Sequence, residues 1–261
     1  MMRRPLITLT TDFGTKDPYV AAIKGVLYSR LPDAVVVDIT HEIPPFEPAY
    51  ALPVLIDVLP CFPADSHHLV VIDPGVGSSR KALLGESLFG KIFLPDNGLP
   101  ALLHDWMDIR YRKVEIAAAP EGFASPTFQA RDLFAHLVAS VVLGAPLDSI
   151  GERLPASDLV PGLAIPPSGF LRVWNVDRFG NVLFGYHSSS TPDSIALLLE
   201  DIEIPFVKRY QDVPYGETGL LINSSRWLEL FCREGSAADR FSLSRGMILQ
   251  VHIIGGKGRF F

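Results

Sequence analysis

The chain has 261 residues but only two cysteines, Cys61 and Cys232. They are too few and too far apart for a disulfide framework or a cysteine-based metal site, and a reducing, cytoplasmic setting fits best. The histidines at His41-Glu42 and His67-His68 have no second histidine at helical spacing, which argues against a zinc centre. No basic run offsets the net charge of −6, which argues against general nucleic-acid binding. No apolar stretch is long enough to span a bilayer. The run Leu6 to Thr11, behind Arg3 and Arg4, is shorter than the apolar core of an export signal and is closed by Asp12. Repeats and low-complexity tracts are missing. The terminal Gly255-Gly256-Lys257-Gly258 lacks the phosphate-loop pattern and reads as a tail turn.

What is present is the composition of an ordinary globular protein, 48% hydrophobic and 20% charged, long enough for one or two domains. In the first part, strand-like and helix-like pieces alternate. Leu6–Thr11, Val35–Ile39 and Leu69–Ile72 read as buried strands. Pro18–Arg30, Pro48–Leu59, Gly98–Met107 and Arg131–Leu143 read as helices, with Pro53 kinking the second. Leu83–Ser87 and Lys91–Leu94 form a candidate hairpin. This order predicts an α/β domain over 1–160, with a mainly parallel sheet and flanking helices. A Pro- and Gly-rich linker occupies 161–169. Beyond it, over 170–261, short strand-like runs between turn residues predict a smaller C-terminal all-β domain of barrel type.

The segment Val70-Val71-Ile72-Asp73-Pro74-Gly75-Val76-Gly77-Ser78-Ser79-Arg80 is the most informative. An apolar strand ends in a carboxylate and a tight turn returns an arginine seven residues later. Open α/β sheets bind ligands at such strand ends. A common turn with a surface ion pair explains the same letters, so this segment alone leaves both readings open. Asp12 also stands at a strand's carboxyl end, where it could accept two hydrogen bonds from a ribose diol. Asp17-Pro18 reads as a helix start, with an N-cap acceptor followed by proline at the first helical position. Pro95-Asp96-Asn97-Gly98 is turn chemistry, and Thr127 or Asp132 could favour the N-terminus of the helix that follows.

Thr10-Thr11-Asp12-Phe13-Gly14, Asp73–Arg80, Pro95–Gly98, Thr127–Asp132, Asp177–Asn181 and Asn223–Leu228, in this order, resemble the S-adenosylmethionine (SAM) hydroxide adenosyltransferases, relatives of the fluorinase and chlorinase. The resemblance implies hydrolysis of SAM to adenosine and L-methionine by attack of water or hydroxide at ribose C5′, with no metal or cofactor beyond the substrate. It also implies a homotrimer with interfacial sites. Asp12 would hold the ribose hydroxyls, and Asp17 the methionine amino group with Asp177 as candidate partner. Ser224 would take the methionine carboxylate and Asn181 the adenine edge, while Phe46 and Phe128 would wall the sugar and sulfonium. Asp73 and Arg80 match two members of a water-positioning Asp-Arg-His set. Gln129 stands where the family histidine is expected, and a neutral amide cannot act as a general base near pH 7. A second reading is therefore a SAM- or adenosine-binding protein with weakened catalysis. His136, two helical turns on, is poorly placed as a substitute. Asp73, and Ser225 in place of a halogenase arginine, point away from halide chemistry.

Overall fold

The computed structural model describes residues 4–114, 125–190, 192, 194–199, 201–254 and 257–261. Arg3, Gly255 and Gly256, singled out above, lie outside them. The chain divides into two compact units, Met1–Leu163 and Ala164–Phe261.

The first unit is built on a seven-stranded sheet. Its strands are β1 (Leu6–Thr11), β2 (Val35–Thr40), β3 (His67–Val71), β4 (Ala82–Ser87), β5 (Gly90–Pro95), β6 (Arg110–Val114) and β7 (Gly151–Leu154), in the order β2-β1-β3-β5-β4-β6-β7. The ladders β1–β2, β1–β3 and β3–β5 are parallel, and those from β5 through β4 and β6 to β7 are antiparallel. Five strands thus run one way, with β4 and β7 opposed. The candidate hairpin is present as β4–β5.

Strand β1 is buried on both faces from Ile7 to Thr11, and side-chain alternation sends Ile7 and Leu9 to one of them. Ile7 and Leu9 join an apolar cluster with Ile23 and Leu27 of helix α1 (Tyr19–Arg30). Phe134, Leu137 and Val138 belong to the same cluster. They come from a π-helix (Ala130–Ala135) that runs into helix α4 (His136–Val142). Between them in sequence, helices α2 (Ala51–Val58) and α3 (Leu99–Trp106) pack on one another. Pro53 lies near the start of α2 behind a short 3-10 turn, Pro48–Tyr50, so no mid-helix kink is needed.

His67 and His68 lie inside β3 rather than before it. Buried His68 meets Thr8 Oγ1 at 2.8 Å through Nδ1 and the Phe89 carbonyl at 2.9 Å through Nε2. His67 stacks on Phe93, 6.1 Å between centroids, and burial pushes its pKa from 6.5 down to about 4. A histidine held neutral in this way stabilises the fold fully above pH 6.5, and the contribution is lost as pH falls towards 4. The loss amounts to at most about 3 kcal/mol. Denaturant titrations are expected to show stability falling across that window, and His67→Phe is expected to flatten the fall.

The second unit is a curled antiparallel sheet. Strands β8 (Phe170–Val176), β9 (Val182–Ser190), β12 (Thr218–Ile222), β13 (Trp227–Cys232) and β14 (Ile248–Gln250) run in the order β12-β13-β9-β8-β14, with β16 (Lys257–Phe260) also on β9. Strands β10 (Ser194–Leu199), β11 (Ile202–Ile204) and β15 (His252–Ile254) form a second, smaller sheet. Val173, Phe184 and Leu230 of the larger sheet and Leu197 of the smaller share one apolar core, giving a half-barrel. Lys257-Gly258, read as a tail turn, belongs to β16. Among the described residues no helix is long and apolar enough to cross a membrane.

Candidate active site

The strand order places the site. From β1 the chain moves to β2 on one side, then crosses back to β3 on the other, so the carboxyl ends of β1 and β3 flank the point where winding reverses. Parallel sheets open a ligand crevice there. Thr11 pairs with Val71 in the parallel ladder, so Asp12 and Asp73 emerge side by side.

Asp73 and Arg80 do face one another. Arg80 Nε donates to both Asp73 carboxylate oxygens at 2.9 and 3.0 Å, and Nη2 donates to Oδ2 as well. Their side chains are only 5% and 9% exposed, so this is not a surface ion pair. Arg80 also lies 5.6 Å over the Phe134 ring. The turn between them is closed by Val76 N–H on the Asp73 carbonyl and Ser78 N–H on the Gly75 carbonyl. Gly77 has φ +80°, and a Cβ there would stand 3.0 Å from the Pro126 carbonyl oxygen. Gly75 needs no unusual φ; a Cβ there would press to 3.2 Å from Arg80 Cγ. One glycine therefore makes the turn and the other leaves room for the arginine.

The same Nη2 donates to Gln129 Oε1. Gln129 is the residue before the π-helix, and no side chain caps that helix. Thr127 instead meets Ser125 through the hydroxyls at 2.8 Å. Asp132, buried, accepts Ser125 N–H at 3.0 Å and pairs with Arg131, whose guanidinium holds its carboxyl below the usual range. His136 meets Arg30 of α1, Nδ1 to Nη1 3.1 Å.

A cavity of about 170 Å³ adjoins this array. Asp73, Gln129, Phe13, Tyr19, Val76 and Phe128 are among its lining residues. Phe13, Tyr19 and Phe128 stand 5.3–6.2 Å apart between ring centroids. Phe13 and Tyr19 carried no role in the sequence reading. Their signal was the aromatic pair bracketing the loop that leaves β1.

Asp12 is half-buried and accepts the Phe46 N–H at 3.0 Å through Oδ2. Burial pushes its carboxyl pKa up. The Phe46 hydrogen bond opposes the rise and the neighbouring Asp73 charge adds to it. The fold therefore favours protonated Asp12, and the cost of ionising it grows as pH rises above the ordinary carboxylate value. Asp12→Asn is expected to raise the melting temperature at neutral pH and to raise it less in acid, where Asp12 is protonated. Calorimetry at two pH values checks it.

Phe46 meets Asp12 through its backbone N–H. The ring is 74% exposed, φ is +67°, and it does not line the cavity. The helix-start reading of Asp17-Pro18 is corrected: Pro18 occupies the N-cap position of α1 and no side chain caps it. Asp17 is left exposed beside the site loop. Asp96 does more than turn. Its carboxylate takes Lys81 Nζ at 3.1 Å and Val160 N–H at 3.0 Å, tying the chain near 160 to the end of β5.

In the second unit, Asp177 organises its own hairpin turn. Its carboxylate accepts the N–H groups of Phe179 and Asn181 at 2.8 and 2.9 Å, and Asn181 Nδ2 at 3.0 Å. The amide of Asn181 is thereby oriented with Oδ1 still available as an acceptor. Asp177, Asn181 and Phe179 line an open depression of about 690 Å³ with Tyr210, Tyr215 and Arg233. Ser224 is exposed in the turn between β12 and β13, which Asn223 Oδ1 closes by accepting Ser225 and Trp227 N–H. Among the described residues no three His, Cys, Asp or Glu side chains are grouped to hold a metal.

Profiles of the SAM hydroxide adenosyltransferase N-terminal and C-terminal domains match residues 7–151 and 171–250. A (R)-S-adenosyl-L-methionine hydrolase from Salinispora tropica is 34% identical, covering 96% of this chain and 99% of the relative. One of the same name from Thermus thermophilus is 32% identical over 95% and 99%. The crystal structure of an uncharacterized conserved protein from Thermotoga maritima superposes with a TM-score of 0.83 at 28% identity, covering 95% of this chain and 99% of that one.

Proposed function

The chain belongs to the SAM hydroxide adenosyltransferase family, and from that premise we propose how its residues carry out the hydrolysis of SAM to adenosine and L-methionine. The protein is a SAM hydrolase. Water attacks ribose C5′, the C5′–S bond breaks with its electron pair going to sulfur, and one proton is released. The sulfonium is already a good leaving group, so the protein's task is to hold one water in line with the bond and keep others out.

The single observation that carries the assignment of roles is the hydrogen bond from Arg80 to Gln129. Arginine only donates, so Gln129 must turn Oε1 to it and present its N–H₂ group on the other side. A neutral histidine accepting from Arg80 through one ring nitrogen would likewise present an N–H. Glutamine therefore keeps the polarity expected of the family histidine: it donates to the water oxygen, while Asp73, with lone pairs beyond those used by Arg80, accepts the water's proton. This supports turnover over the weakened-binder reading. Asp12 takes the ribose diol, and Asp17 the methionine amino group. Phe128, with Phe13 and Tyr19, excludes water around the sulfonium. Asp177 and Ser224 serve the methionine end of a bound substrate and Asn181 Oδ1 the adenine amino group. The relatives' names specify the R sulfonium epimer, and we assign the same preference here. A cytoplasmic location, assembly as a homotrimer and independence of any cofactor complete the reading.

The test is hydrolysis of (R)-SAM in ¹⁸O-labelled water. Adenosine is expected to carry the label at its 5′ oxygen and methionine none. Label in methanol or in homoserine, the products of attack at the other two carbons on sulfur, or no product above a heat-treated control, would overturn the reading.

A further inference from the structure

The histidine of His41-Glu42 has no part in the reaction above, yet it is buried against the site loop. We propose that His41 is a positioning residue for Asp12, acting through the Thr11 hydroxyl and its own carbonyl to hold the loop that presents the ribose anchor. The inference rests on the reading of Asp12 as the residue that takes the ribose diol.

His41 lies just past the end of β2, and Thr11 is the last residue of β1. Thr11 Oγ1 stands 2.8 Å from His41 Nδ1. His41 Nε2 lies 3.1 Å from Asp38 Oδ1, off hydrogen-bond alignment, and Asp38 pairs with Lys24 Nζ at 2.6 Å through Oδ2. An anion beside Nε2 favours the tautomer with its proton there, which makes Nδ1 the acceptor. Thr11 O–H then donates to Nδ1, and its oxygen is free to accept the Phe13 N–H at 3.3 Å. The two residues flanking Asp12 are thus pinned by one hydroxyl.

The backbone adds a second bracket. The His41 carbonyl accepts Gly14 N–H at 2.8 Å, and the Thr11 carbonyl accepts Ile43 N–H at 3.3 Å. The chain beyond His41 then returns the Phe46 N–H to the Asp12 carboxylate. His41 therefore joins the segment that carries Asp12 to the segment that hydrogen-bonds it. The main-chain bonds survive a side-chain substitution, so losing the imidazole should loosen Asp12 without unfolding the loop.

The experiment compares wild type and His41→Leu, measuring Kd for adenosine and for 2′,3′-dideoxyadenosine by calorimetry, and kcat and KM for SAM. In His41→Leu the adenosine Kd and the SAM KM are expected to rise about fivefold or more, with kcat within about twofold. The dideoxynucleoside, which has no diol, should bind both proteins equally. Thr11→Val cuts the same link with a near-isosteric side chain and should give the same pattern if His41→Leu does not fold. Equal weakening of both nucleosides, or unchanged adenosine binding, would overturn the proposal. If wild type binds the two nucleosides equally, the ribose role of Asp12 fails and this inference with it, while hydrolysis itself stands on the labelled-water result.

Discussion

Asp73→Asn is expected to lower kcat for SAM hydrolysis by about 100-fold or more, the usual scale for losing a positioned proton acceptor. KM should move by less than about threefold, because Asp73 is assigned to the water and not to the nucleoside. The amide keeps the shape of the carboxylate but not its charge. It leaves Arg80, with a side chain only 9% exposed, without its anionic partner. Breaking a buried pair from one side costs about 3–5 kcal/mol, so a drop in melting temperature should accompany the loss of rate. Circular dichroism at the assay temperature separates the two effects, since a folded, inactive variant locates the defect in chemistry. Turnover within about tenfold of the parent would remove Asp73 from the handling of water.

At Gln129 the expected effects differ by substituent. Gln129→Leu removes the acceptor for Arg80 Nη2 and the donor to the water together. Its kcat should fall about 100-fold, as for other preorganised donors aimed at a reacting centre. Gln129→His should keep kcat within about tenfold, since Arg80 forces the imidazole into the same acceptor-inside, donor-outside arrangement. Steady-state kinetics on the two variants decides between the readings of this site. A gain of more than about 100-fold in the histidine variant would mean that glutamine marks decayed catalysis. An unaffected leucine variant would mean that the amide does not touch the water.

Much of this site was legible because its parts sit at strand ends, and strand ends are marked locally. The apolar runs closed by Asp12 and Asp73 located both carboxylates, and the Pro-Gly turn allowed Arg80 to return to Asp73. Helix starts are marked less clearly. Asp17-Pro18 has the letters of a cap, but the chain enters α1 with Pro18 at the N-cap and the carboxylate turned out. Phe46 has the letters of an aromatic wall, but a positive φ turns its N–H to Asp12 and leaves its ring outside the cavity. His67 and His68 interrupt the apolar pattern of β3, and only the pairing of that strand with β1 gives His68 its Thr8 partner.

The sequence by itself determined the two-part architecture and the closeness of Asp73 and Arg80, because each is written in residues near one another along the chain, while the reaction class came from the resemblance of its ordered segments to a known family. Only the tertiary structure decided that the pair is buried, that Arg80 reaches across 49 positions to orient Gln129, and that His41 reaches back 30 to Thr11. Those contacts depend on the order β2-β1-β3-β5 and on the packing of the π-helix with α1 and β3. Sheet order is set by burial of whole faces and by crossover handedness, neither of which a local pattern of letters encodes.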